Sequence, residues 1–312
     1  MTAPHRDNRL LALVCILSAI GFATTQDAIL KAMSGEYSVY QAVILRCLGA
    51  FPILFGLIWH RGALGELFPV LLPRVILRAS VLCTAHLAFV LSLAALPLAT
   101  AVAIYFTMPF FVAGLAGPLL GERVRLHRWL AIAAGFTGVL VMVRPGAEVF
   151  EPAALLSLYS AMGYAYGQMI GRQLAQKVSP LVIALWQNAI YFAVALCLAV
   201  IFNSFDFSWV NHKSLIFLSR PWHAMPLSDA LVMLFIGLLA SAGMLLFITA
   251  YKFGESNFVA PFEYSSMIWA VAYGVLFFGD FPDMYTWIGA AIVVTAGIFM
   301  ILRDRQLDRS IR

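Results

Sequence analysis

A chain of 312 residues with 62% hydrophobic and only 11% charged residues cannot cover itself with a water-compatible surface, since soluble domains carry about 25% charged residues. Its net charge of +5 comes from basic residues scattered between apolar runs, which excludes a nucleic-acid patch and predicts no nucleic-acid partner. The length therefore sets how many bilayer crossings fit, at roughly 20 apolar residues each.

The chain opens on a short polar stretch, Met1 to Arg9, and an apolar segment then runs to about Met33. That is too long for a signal-peptide core of about 7–15 residues, so it is expected to stay as the first helix. Helices are predicted at 10–33, 38–59, 74–95, 98–119, 127–144, 153–175, 180–202, 228–251, 257–278 and 285–302. Turn signals separate them: Ser34-Gly35-Glu36, Pro73-Arg74, Leu96-Pro97, Gly121-Glu122-Arg123, Arg144-Pro145-Gly146, Ser179-Pro180, Gly254-Glu255 and Gly279-Asp280. The runs are too long and too uniformly apolar for barrel strands. One longer polar stretch, Asn203 to Pro226, reads as an external loop lying partly at the interface.

With the N-terminus placed in the cytoplasm, 15 Lys and Arg fall in inside segments, including Arg61, Arg74, Arg78, Arg123, Arg125 and Arg128. Only 4, Lys31, Arg144, Lys213 and Arg220, fall outside, and Arg46 lies within the second helix. Basic residues favour the cytoplasmic side, so both termini are expected there, in a multi-pass protein of the bacterial inner membrane.

A shift of 158 residues aligns Leu87 with Leu245, Phe89 with Phe247, Gly121 with Gly279, Trp129 with Trp287, Thr137 with Thr295 and Met142 with Met300. Glu122 meets Asp280 as a like-charged pair. Each repeat holds five helices, residues 1–146 and 147–312. Five is odd, so the second copy enters the membrane upside down. The expected fold is an all-α membrane protein of ten transmembrane helices in two inverted five-helix repeats. Such repeats are typical of secondary transporters, whose halves exchange conformations around a central site.

Ionisable groups at membrane depth are costly and mark functional sites. Asp27 and Lys31 lie one helical turn apart and can pair. Arg46 sits in the second helix. Glu263 is the deepest acid, two residues after Pro261, whose ring breaks a helix in the way a lined cavity requires. His86 could relay protons or be satisfied structurally. Gln168, Gln187 and Asn188 are amides at depth, accompanied by Tyr105, Trp186, Tyr264 and Trp269; Phe106, Tyr164, Tyr166 and Tyr191 are further aromatics. Rings with amides suit a flat or amphipathic organic solute better than a bare ion. The four cysteines, Cys15, Cys47, Cys83 and Cys197, sit in apolar runs without ligand spacing and read as small buried hydrophobes. No metal or cofactor is expected.

Gly121-Glu122-Arg123 followed by Trp129, Gly135 and Gly138, and Phe278-Gly279-Asp280 followed by Trp287, Gly289 and Gly297, resemble the repeat endings of the EamA-type drug/metabolite transporters. Ala260-Pro261-Phe262-Glu263-Tyr264, with Asp27, Lys31 and Arg46, resembles a bacterial subgroup similar to riboflavin and S-adenosylmethionine uptake proteins and to the solute carrier 35 family. The resemblance implies alternating-access transport of a small organic metabolite, with the fifth and tenth helices outside the cavity-lining set. Riboflavin uptake is the first expectation; uptake of S-adenosylmethionine, or uptake or efflux of another metabolite or an amino acid, is the alternative. No Gly-x-x-x-x-Gly-Lys loop is present for ATP. The dispersed histidines argue against a membrane enzyme, and the repeat argues against a receptor or scaffold. The expected partners are a small-molecule substrate and the lipid bilayer; a homodimer stays open.

Overall fold

The computed structural model describes residues 9–120, 126–144, 151–174, 177–205, 207, 209–253 and 259–311. The predicted stops at Gly121-Glu122-Arg123, Pro145-Gly146 and Gly254-Glu255, and the start of the chain before Arg9, lie outside the described residues. Among the described residues the regular elements are helical: α1 (Arg9–Met33), α2 (Val39–His60), α3 (Leu72–Leu93), α4 (Leu98–Tyr105), α5 (Met108–Leu120), α6 (Leu126–Val143), α7 (Ala153–Leu174), α8 (Pro180–Ser204), α9 (Lys213–Ser219), α10 (Leu227–Phe253), α11 (Ser266–Phe278) and α12 (Met284–Ile311), with short 3₁₀ turns at Ala63–Glu66 and Ala260–Ser265.

Among the described residues, eight stretches are long and apolar enough to cross a membrane: α1, α2, α3, Leu98–Leu115, α6, α8, α10 and the first part of α12. The shorter apolar stretch Phe262–Phe278 comes in addition. The chain is thus a multi-pass membrane protein. α7 has the length of a span at 22 residues, but Ser157, Ser160, Gln168 and three glycines dilute its apolar content.

The predicted fourth helix is interrupted. α4 ends at Tyr105 and α5 begins at Met108, because Pro109 has no N–H to continue the ladder. The predicted ninth helix is interrupted likewise at the 3₁₀ turn Ala260–Ser265, which carries Pro261 at its start. α5 and α11 begin and end 158 residues apart, and α6 and α12 begin 158 residues apart. Asn203 to Pro226 is not only a loop: it holds α9, whose Phe217 is buried in a hydrophobic cluster with Tyr40 and Met233.

The chain forms two compact units, each drawing on both halves of the sequence. One comprises residues 1–28, 97–150 and 242–312; the other comprises 29–96 and 151–241. In the first, α6 packs on α12 and α4 on α11. α6 and α12 run antiparallel: a Cβ on Gly138 would come 2.7 Å from the Gly289 carbonyl, and one on Gly289 would come 2.4 Å from the Gly138 carbonyl. Past that crossing, Arg144 pairs with Asp283 and lies over the Tyr285 ring at 4.6 Å. Only small residues let helices approach this closely, which is how they associate where the hydrophobic effect offers no drive.

In the second unit, α3 packs on α7 and α8, and α2 on α8. Gly163, Gly167 and Gly171 form a stripe on α7. A Cβ at each would come 2.8 Å from Ala85, 2.5 Å from Leu82 and 2.7 Å from Arg78 Nε on α3. This stripe seats α7 directly on the polar face of α3.

Candidate functional site

The close seating of α7 on α3 assembles a polar cluster in the second unit. Arg78 is the seventh residue of α3, within the helix predicted at 74–95. Its Nε donates to the Gly167 carbonyl at 3.2 Å, and its Nη1 donates to Gln187 Oε1 on α8 at 2.9 Å. Gln187 Nε2 reaches Tyr191 Oη at 3.4 Å, and that hydroxyl donates to the Leu82 carbonyl at 2.7 Å.

Tyr191 is the hub, buried at 2% exposure. His86 stacks on its ring at 5.3 Å with 22° between planes. The Arg46 guanidinium lies 5.8 Å from the centroid of the same ring. Tyr164 Oη on α7 stands 3.3 Å from His86 Nδ1, while His86 Nε2 has no hydrogen-bond partner. Asn188 Nδ2 donates to the Cys47 carbonyl at 3.1 Å, tying α8 to α2. Trp186 Nε1 donates to the Leu67 carbonyl at 2.7 Å and holds the α2–α3 connection. The arrangement offers aromatic faces, amides, an imidazole and two guanidiniums. It can stack on a planar solute and donate to its acceptor atoms.

Four expected site residues, Arg46, His86, Gln187 and Asn188, thus belong to one cluster, with Trp186 at its border. Gln168 lies on α7 and is exposed. Lys31 sits elsewhere in this unit, its Nζ donating to the Leu93 and Leu96 carbonyls at 3.2 and 2.6 Å. Two further groups complete the cluster. Tyr191 was visible only as one of several aromatics at depth, and Arg78 only as one of the basic residues counted on the inner side.

The remaining expected residues lie in the first unit. Glu263, in the 3₁₀ turn, accepts a hydrogen bond from Tyr251 Oη of α10. Tyr264 packs on Phe106 at 4.9 Å, and its buried hydroxyl has no hydrogen-bond partner. A Cβ on Gly297 would come 1.8 Å from that hydroxyl oxygen, so Tyr264 fits only against glycine. Tyr105 Oη points to Met108 Sδ at 3.6 Å. Trp269 is 39% exposed and packs, with rings tilted, on Tyr273, whose hydroxyl bonds Thr25 Oγ1 at 2.9 Å. Asp27 is half-buried on α1. Cys15, Cys47 and Cys83 are buried, but Cys197 is exposed on α8, contrary to the expectation for all four.

Away from the spanning segments, Tyr37 in the α1–α2 turn donates to the Asp229 carboxylate. That bond, with burial, pushes the phenol up to about 12. Arg220 Nη1 donates to the Ser34 and Tyr37 carbonyls, both at 3.1 Å, and the Arg220 carbonyl accepts from Tyr40 Oη at 2.6 Å. The segment after α9 is thereby pinned to the start of α2.

A solved crystal structure of another protein aligns over 96% of this chain and 99% of its own, with a TM-score of 0.63 at 16% identity, a likeness of fold. The riboflavin transporter of Rhizobium johnstonii is 31% identical over 225 residues, covering 71% of this chain and 68% of that protein. An S-adenosylmethionine uptake transporter of Rickettsia felis is 25% identical over 305 residues, 95% of this chain and 96% of that protein. The model of the EamA-like transporter family matches twice, at residues 9–144 and 151–303. With most of its length covered by those two matches, the chain belongs to the EamA-like transporter family.

Proposed function

We propose that this protein is a secondary transporter that moves a planar, polar heterocycle of the riboflavin type into the cell by alternating access. In this reading it has ten crossings in two inverted repeats, residues 1–146 and 147–312, in a bacterial inner membrane with both termini cytoplasmic. The observation that carries it is the Tyr191-centred cluster. α2, α3, α7 and α8 carry Arg46 and Arg78 and not one Asp or Glu. Such a lining donates hydrogen bonds to carbonyl and ring-nitrogen acceptors and offers ring faces for stacking. The matched offset of α5 with α11, and the antiparallel packing of α6 on α12, support the inverted repeat.

The named activities of the Rhizobium and Rickettsia proteins support substrates of this size. S-adenosylmethionine is the second reading, favoured by the acids Asp27 and Glu263, which could serve as counter-charge for a sulfonium. The test is expression in a riboflavin auxotroph lacking its own importer. Growth at low external riboflavin is expected. No growth, with the protein present in the membrane, removes riboflavin, and uptake of labelled S-adenosylmethionine in vesicles then decides for the second substrate. Absence of flux in proteoliposomes across a metabolite panel would favour a non-transporting receptor or scaffold.

A further inference from the structure

His86 presents a buried polar atom that the packing leaves open. The residue is 4% exposed, and its Nε2 has no hydrogen-bond partner. A neutral imidazole has one donor and one acceptor nitrogen. If Nδ1 accepts from Tyr164, Nε2 carries an unpaired hydrogen; if Nδ1 donates to the Tyr164 oxygen, Nε2 is a bare lone pair. Either tautomer leaves a buried polar atom unsatisfied, a state native structures ordinarily avoid.

The groups around His86 define what can satisfy it. From α2 come Arg46 and Cys47, from α3 Cys83 and, two turns away, Arg78. From α7 comes Tyr164, and from α8 Tyr191. α9, which also packs on α3, contributes only the exposed Lys213. None of these elements carries a carboxylate. An imidazolium here would share the Tyr191 ring with the Arg46 guanidinium and lack a counter-anion. Its Nε2–H would still have no acceptor. Nε2 is also sealed, so an organic solute reaches it only after α3 separates from its neighbours, whereas a proton needs no such space.

We propose that His86 is a proton-binding site, and that the closed packing of α3 on α7 and α8 is its deprotonated state. Proton uptake at His86 and the seat of Arg46 over Tyr191 exclude one another. Protonation drives α3 toward an arrangement in which Nε2–H meets water or solute, and a two-state element biased in this way couples the proton to conformational exchange. The coupling to transport rests on the reading above; the proton site itself does not.

The experiment is ring-nitrogen NMR of the full-length chain, histidine-labelled, in lipid nanodiscs, with His86→Asn assigning its signal among the 6 histidines. Titration of His86 is expected, moving to higher pH in Arg46→Gln and staying near the wild-type position in Arg46→Lys. A His86 that stays neutral down to about pH 4 in both wild type and Arg46→Gln, more than two units below an ordinary imidazole, overturns the site. In proteoliposomes, uptake of riboflavin is expected to change several-fold with an imposed pH gradient in wild type and to lose that dependence in His86→Asn. Riboflavin flux indifferent to the gradient in wild type overturns the coupling. Absence of riboflavin flux in every variant counts against the riboflavin reading, and the NMR titration still decides the proton site.

Discussion

Phe106 and Tyr264 face one another with ring centroids 4.9 Å apart, and they stand 158 residues apart in the chain, the interval that also separates α5 from α11 at both ends. In the proposed two-repeat reading each is the counterpart of the other. Both sit at the break of an interrupted helix, Phe106 where α4 gives way to α5 and Tyr264 in the 3₁₀ turn before α11. Prolines at 109 and 261 remove ladder hydrogen bonds beside these breaks, and the aromatic contact packs the two breaks together.

The Tyr264 hydroxyl gains nothing from hydrogen bonding, because it is buried without a partner. Tyr264→Phe is expected to leave thermal stability in detergent unchanged or raise it slightly. Tyr191→Phe removes a hydroxyl that donates to the Leu82 carbonyl and is expected to cost about 1 kcal/mol. A larger loss from Tyr264→Phe than from Tyr191→Phe would show that the Tyr264 hydroxyl is satisfied in the membrane.

Glu263 accepts from Tyr251 and follows Pro261 in the turn. Glu263→Gln is expected to lower transport at least about tenfold, the change that 1.4 kcal/mol of lost interaction produces, with normal amounts of protein in the membrane. Transport at the wild-type rate would make Glu263 structural.

Much of the helix order was legible because apolar runs and turn residues mark spans directly. α1, α2, α8 and α10 lie within a few residues of their expected limits. The interruption after Tyr105 was not placed, since Pro109 alone does not say which turn will yield. Nor was α9 foreseen within Asn203 to Pro226, where polar residues on either side mask a short apolar helix. The cluster was legible as a set of residue types but not as a set of neighbours. Arg78 joins it only because Gly163, Gly167 and Gly171 bring α7 onto α3, and that contact between distant segments leaves no local signal.

Arg78 spans two acceptors with a planar fork, one on α7 and one on α8. Lysine carries the charge but not that geometry. Arg78→Lys is expected to reduce transport about tenfold and to lower stability by about 1 kcal/mol, the worth of one such bond. Gln187→Ala removes one of the acceptors and is expected to produce part of the same loss. Additive effects in the double variant would show that the two residues act independently.

Asp283 caps α12 by accepting from the Thr286 N–H at 2.8 Å and pairs with Arg144. Burial pushes its carboxyl up, but the Thr286 hydrogen bonds and the Arg144 guanidinium outweigh it and hold the group below the ordinary carboxylate value. A lowered value in the folded state means stability that is present above the unfolded value, near about pH 4, and lost as pH falls through the folded one. Asp283→Ala is expected to cost about 1 kcal/mol at neutral pH through the lost cap. The ion pair adds little, because the Asp283 side chain is 42% exposed. The difference in melting temperature between wild type and variant should hold from neutrality to about pH 4 and shrink below it; a difference independent of pH would exclude the charge from the effect.

The proposed orientation of the chain rests on its charge distribution. The inside segments of the expected topology hold 15 of the basic residues against 4 outside. Arg144 and Asp283, which the same topology places together on the outer side, pair with each other in the structure. A fluorescent reporter active only in the cytoplasm, fused after Arg312, is expected to be active, and a periplasm-dependent enzyme fused there is expected to be silent. Fused within the connection after α9, between Arg220 and Pro226, the two reporters should exchange behaviour. Periplasmic activity at the C-terminus would remove the even number of crossings, and with it the two five-helix repeats on which the alternating-access reading depends.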